Sequence, residues 1–165
     1  MKNFFNDYQH LPWEHPYAFV SPWIVGRSNI DHYQHTNNVA YLSQLEALAW
    51  QHSNALGLQF SDYQHLNRAM VITKHELNYL QATHLNNEIA CATWIVCCDN
   101  KFRLQRKFQF IDVATQKTCF TAATQFVCVD LTSGAPKRMP SIFTEIYGQA
   151  AEQFSLNIGE PPCAS

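Results

Sequence analysis

Between Asp31 and Tyr41 the chain reads Asp-His-Tyr-Gln-His-Thr-Asn-Asn-Val-Ala-Tyr, a D-x-x-x-H-x-N-N-x-x-Y pattern. An acid sits on a polar turn a few residues ahead of a helix start. The first N–H groups of a helix have no partner inside it, and the helix dipole puts partial positive charge there. A carboxylate next to such donors is equipped for acyl transfer. The donors hold a carbonyl oxygen as it becomes negative, and the carboxylate attacks the carbon or activates a water. Asp31 is the candidate nucleophile or general base. An isolated aspartate there would be an ordinary turn residue; His35, Asn37, Asn38 and Tyr41 in register favour chemistry. His35 can orient Asp31, touch substrate or shuttle a proton, against the alternative of a loop histidine bonded to backbone. His32 and His35 have H-x-x-H spacing, but no further ligands are evident, so no metal and no cofactor is expected.

The elements that must position this corner follow from periodicity. Residues 17–30 read as an extended segment with a bend at Pro22. Val39, Leu42, Leu45, Leu48 and Ala49 recur at helical spacing, and no proline or glycine intervenes before Gly57, which predicts a helix over residues 38–56. Its apolar stripe is wide enough for a helix covered on most sides. Asn37, or Thr36 before it, is the expected N-cap, and Gly57 the C-terminal stop. For the Asn37 side chain, capping and substrate contact both remain open.

Strand patterns then predict residues 69–79, 88–98, 102–111 and 118–131, after a polar stretch at 59–67. The second is apolar on both faces, as a central strand would be. In the third, Phe102, Leu104, Phe108 and Phe110 share one face, which Arg106 interrupts. A short helix is expected after Pro140. Consecutive strands with short connections make an antiparallel sheet, and a helix apolar nearly all round must be wrapped by it. The class is α+β.

At 165 residues the chain suits one domain. Hydrophobic residues are 47% and charged residues 15%, which argues against disorder. A net charge of −2 lacks the basic footprint of a nucleic-acid binder. No apolar run reaches the length of a membrane span, and the N-terminus lacks the apolar region of a signal peptide. The six cysteines are therefore expected as reduced, buried thiols in a cytoplasmic protein.

The Asp31–Tyr41 run resembles the signature of the hot-dog acyl thioesterases, the group of the 4-hydroxybenzoyl-CoA and plant acyl-ACP thioesterases. His75-Glu76-Leu77-Asn78-Tyr79-Leu80 resembles that family's second landmark, a strand ending in a tyrosine. Residues 127–140 resemble its last strand and exit. Tyr33 stands where the plant-like version has asparagine, Gln34 where bacterial members often have glycine, and Ala82 and Thr83 where a proline is typical. The resemblance implies a hot-dog fold, an antiparallel sheet wrapped around a long central helix. It also implies that the backbone N–H of Asn38 is the oxyanion donor; losing such a donor typically costs roughly 3 kcal/mol of barrier.

The resemblance implies an acyl-CoA substrate and a site completed by a partner subunit, so self-association as a dimer or tetramer is expected. Asn37, Tyr33, Tyr41 and Arg138 are the candidate substrate-binding residues. Arg138 stands with Lys101, Arg103, Lys107 and Lys137 among the cations available to CoA phosphates. Glu46 is read as structural, because Asp31 already fills the catalytic slot. The expected organisation is an N-terminal arm over residues 1–15, a hot-dog thioesterase domain over 16–148 and a C-terminal tail over 149–165. The expected activity is hydrolysis of an acyl-CoA to free acid and CoA. The alternatives are an acyl-ACP thioesterase and a non-catalytic acyl-CoA-binding hot-dog module.

Overall fold

The predicted strands and the long helix are present in the structure, a computed structural model that describes residues 2–158 and the side chains of 2–155. The order is β1 (Phe19–Ile24), α1 (Asn38–Ala55), α2 (Phe60–His65), β2 (Arg68–Tyr79), β3 (Glu88–Cys98), β4 (Arg103–Asp112), β5 (Lys117–Asp130) and α3 (Ser141–Ile158). The five strands form one antiparallel sheet in the order β1-β3-β4-β5-β2. β1 pairs with β3 from Phe19 opposite Thr93 to Ile24 opposite Glu88. Its near-continuous apolar run fits β3 for the sheet interior, where it is buried over most of its length. β1 and β2 are the edges.

Two differences from expectation have local causes. α2 occupies the stretch read as polar loop, because Asp62 Oδ2 accepts from the Gln59 N–H at 2.7 Å while the Asp62 N–H donates to the Gln59 carbonyl, which closes one short turn. α3 runs to Ile158, so the boundary expected at residue 149 falls inside a helix; residues 159–165 lie outside the described residues.

The chain divides into two units. The first comprises the residues up to His52 with Leu77–Thr93 and Phe108–Ala122. In it α1 buries Tyr41, Leu45, Leu48 and His52, a 4-3-4 stripe along one face. Ala47 and Trp50, which widened the apolar surface in sequence, are exposed on the chain taken alone. The stripe packs on Phe108, Phe110 and Phe120 from β4 and β5 and on Ile89 and Cys91 from β3. The N-terminal arm docks here. Phe4 N–H donates to the Val20 carbonyl at 2.9 Å, and the Asn3 Oδ1 accepts from Val20 N–H at 2.9 Å. Both polar groups of one residue on the β1 edge are thereby satisfied. The arm also explains why Gln109, on the polar face of β4, is buried. Its amide accepts from Glu14 N–H at 2.8 Å and donates to the Pro12 carbonyl at 3.1 Å.

The second unit comprises Ser53–Glu76, Trp94–Lys107 and the chain from Ala123 onward. Its core packs Leu58, Tyr63, Ile95, Leu104, Phe143 and Tyr147. Arg106, which broke the apolar face of β4 in sequence, is buried here and donates to Ser53 Oγ at 3.2 Å. Burial pushes its pKa down. Cys91, Cys98, Cys119 and Cys128 are free and buried as expected, and burial raises the Cys119 thiol to about 12. Cys97 is disulfide-bonded, against the expectation of a reduced thiol. It neighbours Cys98 on β3, so the two point to opposite faces; Cys98 is buried and Cys97 only half so.

The turn after β5 is held by one carboxylate in this second unit. Asp130 Oδ2 accepts from Lys137 Nζ at 2.9 Å, and Oδ1 accepts from Ser133 N–H at 3.0 Å. These donors, Lys137 foremost, hold its pKa well below the usual carboxylate range. A depressed pKa contributes stability that is full above the unfolded value of about 3.9 and is lost as pH falls through the folded value. The stability gap between wild type and Asp130→Asn in urea should therefore be widest near neutral pH and close on acidification below about pH 4. A gap constant from pH 7 to pH 3 would contradict this.

Candidate active site

Residues 29–37 form a tight loop with paired legs. Asn37 N–H donates to the Asn29 carbonyl at 2.7 Å, Ile30 and Thr36 form an antiparallel bridge, and Asp31 N–H donates to the His35 carbonyl at 2.8 Å. Asp31 thus stands across from His35, near the tip, and the second leg runs directly into α1. Asp31 Oδ1 accepts from Tyr33 N–H at 2.8 Å and from His35 N–H at 3.2 Å. This is an Asx turn, so one carboxylate oxygen fixes the loop. Oδ2 accepts no hydrogen bond among the described residues. The acid is half-buried.

The turn needs a left-handed residue, and Gln34 supplies it at φ 63. A residue with a Cβ is disfavoured there by roughly 1–2 kcal/mol, which gives a physical reason for glycine at this position in similar sequences.

The start of α1 is arranged to leave one donor open. Asn37 Oδ1 accepts from Val39 N–H at 2.9 Å, so Asn37 is the N-cap. Ala40 N–H donates to the Asn37 carbonyl at 2.9 Å. The N–H of Asn38 has no acceptor among the described residues. Its carbonyl accepts from Tyr79 Oη at 3.3 Å, which ties the end of β2 to the helix start.

Beneath the loop lies a chain of buried hydroxyls. Thr36 N–H and Oγ1 both donate to the Thr83 carbonyl, at 2.8 and 3.0 Å. Thr83 Oγ1 lies 2.6 Å from Thr36 Oγ1 and 2.6 Å from Tyr41 Oη. A carbonyl only accepts, so the Thr36 proton goes there. Thr83 then donates to Thr36, and Tyr41 donates to Thr83. This is the assignment in which each hydroxyl proton serves one bond. Burial raises the Tyr41 phenol above its ordinary pKa, which keeps it a donor.

The candidate residues therefore separate. Asp31, Tyr33, His35, Asn37 and Asn38 share the loop and helix start. His35 contributes its backbone to Asp31, while its ring meets the His84 ring edge-on at 5.1 Å. Tyr33 is 83% exposed. Tyr41 is core: its ring stacks on Phe120 at 5.1 Å. Its hydroxyl ends the buried chain beneath the loop. Arg138 lies in the second unit, exposed, with its guanidinium 5.8 Å from the centre of the Phe102 ring. Lys137 there is engaged by Asp130. Glu46 is exposed on α1. Among the described residues, no group of three or more His, Cys, Asp and Glu is placed to hold a metal ion.

Sequence reading missed Thr83 and His84. The signal was present only as a departure, since Thr83 falls where a proline is typical after the second landmark.

Residues 25–147 match the model of the thioesterase-like superfamily. The chain belongs to that superfamily. Its fold is the hot-dog fold, shared with solved structures at low identity. A hypothetical protein from Staphylococcus aureus, solved in complex with CoA, aligns with a TM-score of 0.76 at 15% identity over 90% of this chain and 89% of its own. A DHNA-CoA thioesterase from the same organism aligns at 0.75 and 16%, covering 86% and 95%. The probable thioesterase YbaW from Escherichia coli aligns at 0.67 and 22%, covering 80% and 98%. No curated protein matches the chain in sequence.

In this thioesterase-like frame the hydroxyl chain has a measurable role. Thr83→Val removes the acceptor of a buried tyrosine hydroxyl and should destabilise the protein by about 1–3 kcal/mol in chemical denaturation. Thr83→Ser, which keeps the oxygen, should lose markedly less. Equal losses in the two variants would mean that packing, not hydrogen bonding, holds the loop.

Proposed function

We propose that this chain hydrolyses an acyl-CoA thioester to the free acid and CoA, with Asp31 as the reacting group. The observation that carries the reading is the divided Asp31 carboxylate. Oδ1 is pinned by two backbone N–H groups. Oδ2 is left open on a loop that leads into an unpaired N–H at Asn38. A thioester carbonyl whose oxygen meets that N–H gains an oxyanion donor at a helix start. CoA as the carrier is supported by the fold neighbour solved with CoA.

Two routes share this geometry. In one, Asp31 Oδ2 bonds to the thioester carbon, the C–S bond breaks and CoA leaves as thiolate. Water then opens the mixed anhydride, returning the carboxylate and supplying the proton to the thiolate. In the other, Asp31 takes a proton from water, the hydroxide adds to the carbon, and the same proton passes to the departing sulfur. Both consume one water and release one acid and one thiol. Either way His35 supports through its N–H to Asp31, and Tyr33 and Asn37 lie on the exposed rim where substrate would pass. Arg138 is the cation offered to CoA phosphates.

The decisive assay is thiol release over a panel of aliphatic and aromatic acyl-CoAs. Wild type should release thiol. Asp31→Asn keeps an oxygen for both backbone donors, so the loop is retained while the charge is lost; its kcat should fall at least about a hundredfold. Near-wild-type turnover by Asp31→Asn would remove Asp31 from the chemistry. Release from acyl carrier protein alone would transfer the activity to that carrier. Tight acyl-CoA binding without release would make the chain a binding module.

We further propose that the chain works as a dimer or tetramer, pairing through β2. This edge strand is 12 residues long, and Val71 and Ile72 are exposed on it. A long exposed edge strand is a template for another strand unless it is covered. Light scattering should give a dimer or tetramer for wild type and a smaller species for Ile72→Lys. A wild-type monomer at micromolar concentration would exclude the pairing.

A further inference from the structure

The loop that carries Asp31 is braced from outside by a residue with no assigned part in the reaction. His84 Nδ1 lies 3.2 Å from the Gln34 carbonyl oxygen. The carbonyl can only accept, so His84 bears its proton on Nδ1 and donates. The next atoms along the chain matter most. The Gln34 carbonyl and the His35 N–H belong to one peptide unit, and that N–H donates to Asp31 Oδ1 at 3.2 Å. An imidazole N–H therefore polarises a peptide whose other end holds the candidate nucleophile. Hydrogen bonds in series polarise one another.

The same peptide follows the left-handed residue, Gln34 at φ 63. Without a brace, a residue bearing a Cβ would tend to leave that conformation. The peptide would then rotate and the His35 N–H would lose its aim. The His84 backbone is itself fixed: its N–H donates to Asn87 Oδ1 at 2.7 Å. The neighbouring Thr83 is locked in the buried hydroxyl chain. His84 is thus a mounted side chain that closes a bridge from the 80–87 loop to the acid.

We infer that His84 is a positioning residue for Asp31, acting through the peptide that joins Gln34 to His35. Its kinetic consequence rests on the thioesterase reading; the clamp does not. The test compares wild type, His84→Ala, His84→Asn and the double variant Gln34→Gly/His84→Ala. Asparagine keeps an N–H donor at about the reach of Nδ1. Glycine removes the need for a clamp, because it adopts positive φ without strain. Two quantities are read: hydrogen exchange of the His35 amide by NMR, and kcat and KM for the acyl-CoA that wild type turns over fastest.

His84→Ala should speed His35 amide exchange by about three- to tenfold, the worth of one such hydrogen bond. It should lower kcat by a similar factor with KM little changed. His84→Asn and the double variant should both return toward wild type. An unchanged His35 amide in His84→Ala overturns the inference, as does failure of both rescuing variants. A loss of kcat with the amide undisturbed would also overturn it, since that pattern means the imidazole itself meets the substrate. Wild-type silence on every acyl-CoA would sink the thioesterase reading alone, and the amide measurement would still decide the clamp.

Discussion

The site hangs on the oxygens of Thr83. The backbone carbonyl takes both donors of Thr36, and the side-chain hydroxyl joins Thr36 to Tyr41. Tyr41 is wedged between aromatic rings of the first unit's core. A surface loop is thereby tied to the buried aromatic core of that unit. Loops ordinarily exchange order for exposure, and a reacting group, as Asp31 is proposed to be, loses much of its advantage when displaced by an ångström. A directional chain of buried hydroxyls is a compact solution. Each member is satisfied, so none carries the penalty of a stranded polar group. The helix start inherits the same rigidity, because Thr36 stands two residues ahead of Asn38.

With the loop fixed, the rest is an allocation of donors. The loop and helix start present several N–H groups, and most have a structural duty. Tyr33 and His35 hold one oxygen of Asp31, Asn37 bonds across to Asn29, and Val39 is capped. Among the described residues, Asp31 Oδ2 and the N–H groups of His32 and Asn38 are left without a partner. A site is defined here by which groups the fold declines to satisfy.

The readable part of this fold was the part set by period. β3 is apolar on both faces because both faces are covered, and its limits in sequence and structure coincide. The helical period of α1 was equally plain, but of its expected stripe Val39 is exposed, and the buried line runs through Tyr41, Leu45, Leu48 and His52 instead. α2 was hidden because six residues cannot show a helical period, and its start depends on one reciprocal cap. The length of α3 was hidden by a mixed pattern in which Gly148 and Gln149 interrupt the apolar run. At the site, Asp31 and the cap were legible because an Asx turn and an N-cap are local. Thr83 and His84 were not, since their partners lie about fifty residues away and a threonine or histidine in a polar loop has no sequence mark of its role. Arg106 was noticed as an interruption, but only packing explains it.

The positions where this chain departs from similar sequences follow the same logic. Tyr33 contributes its N–H to Asp31 and leaves its ring in solvent. Gln34 contributes a backbone angle and a carbonyl. Neither side chain is used by the loop, so both can vary while the carboxylate stays in place. The Asn38 contribution is likewise a backbone N–H, indifferent to its amide. On the proposed reading, backbone carries the reaction geometry, while the side chains at these positions are exposed, where a substrate would be distinguished. Change at Tyr33 should consequently alter which acyl group is preferred more than how fast a good one reacts. Change at Thr83, which no substrate can reach, should do the reverse.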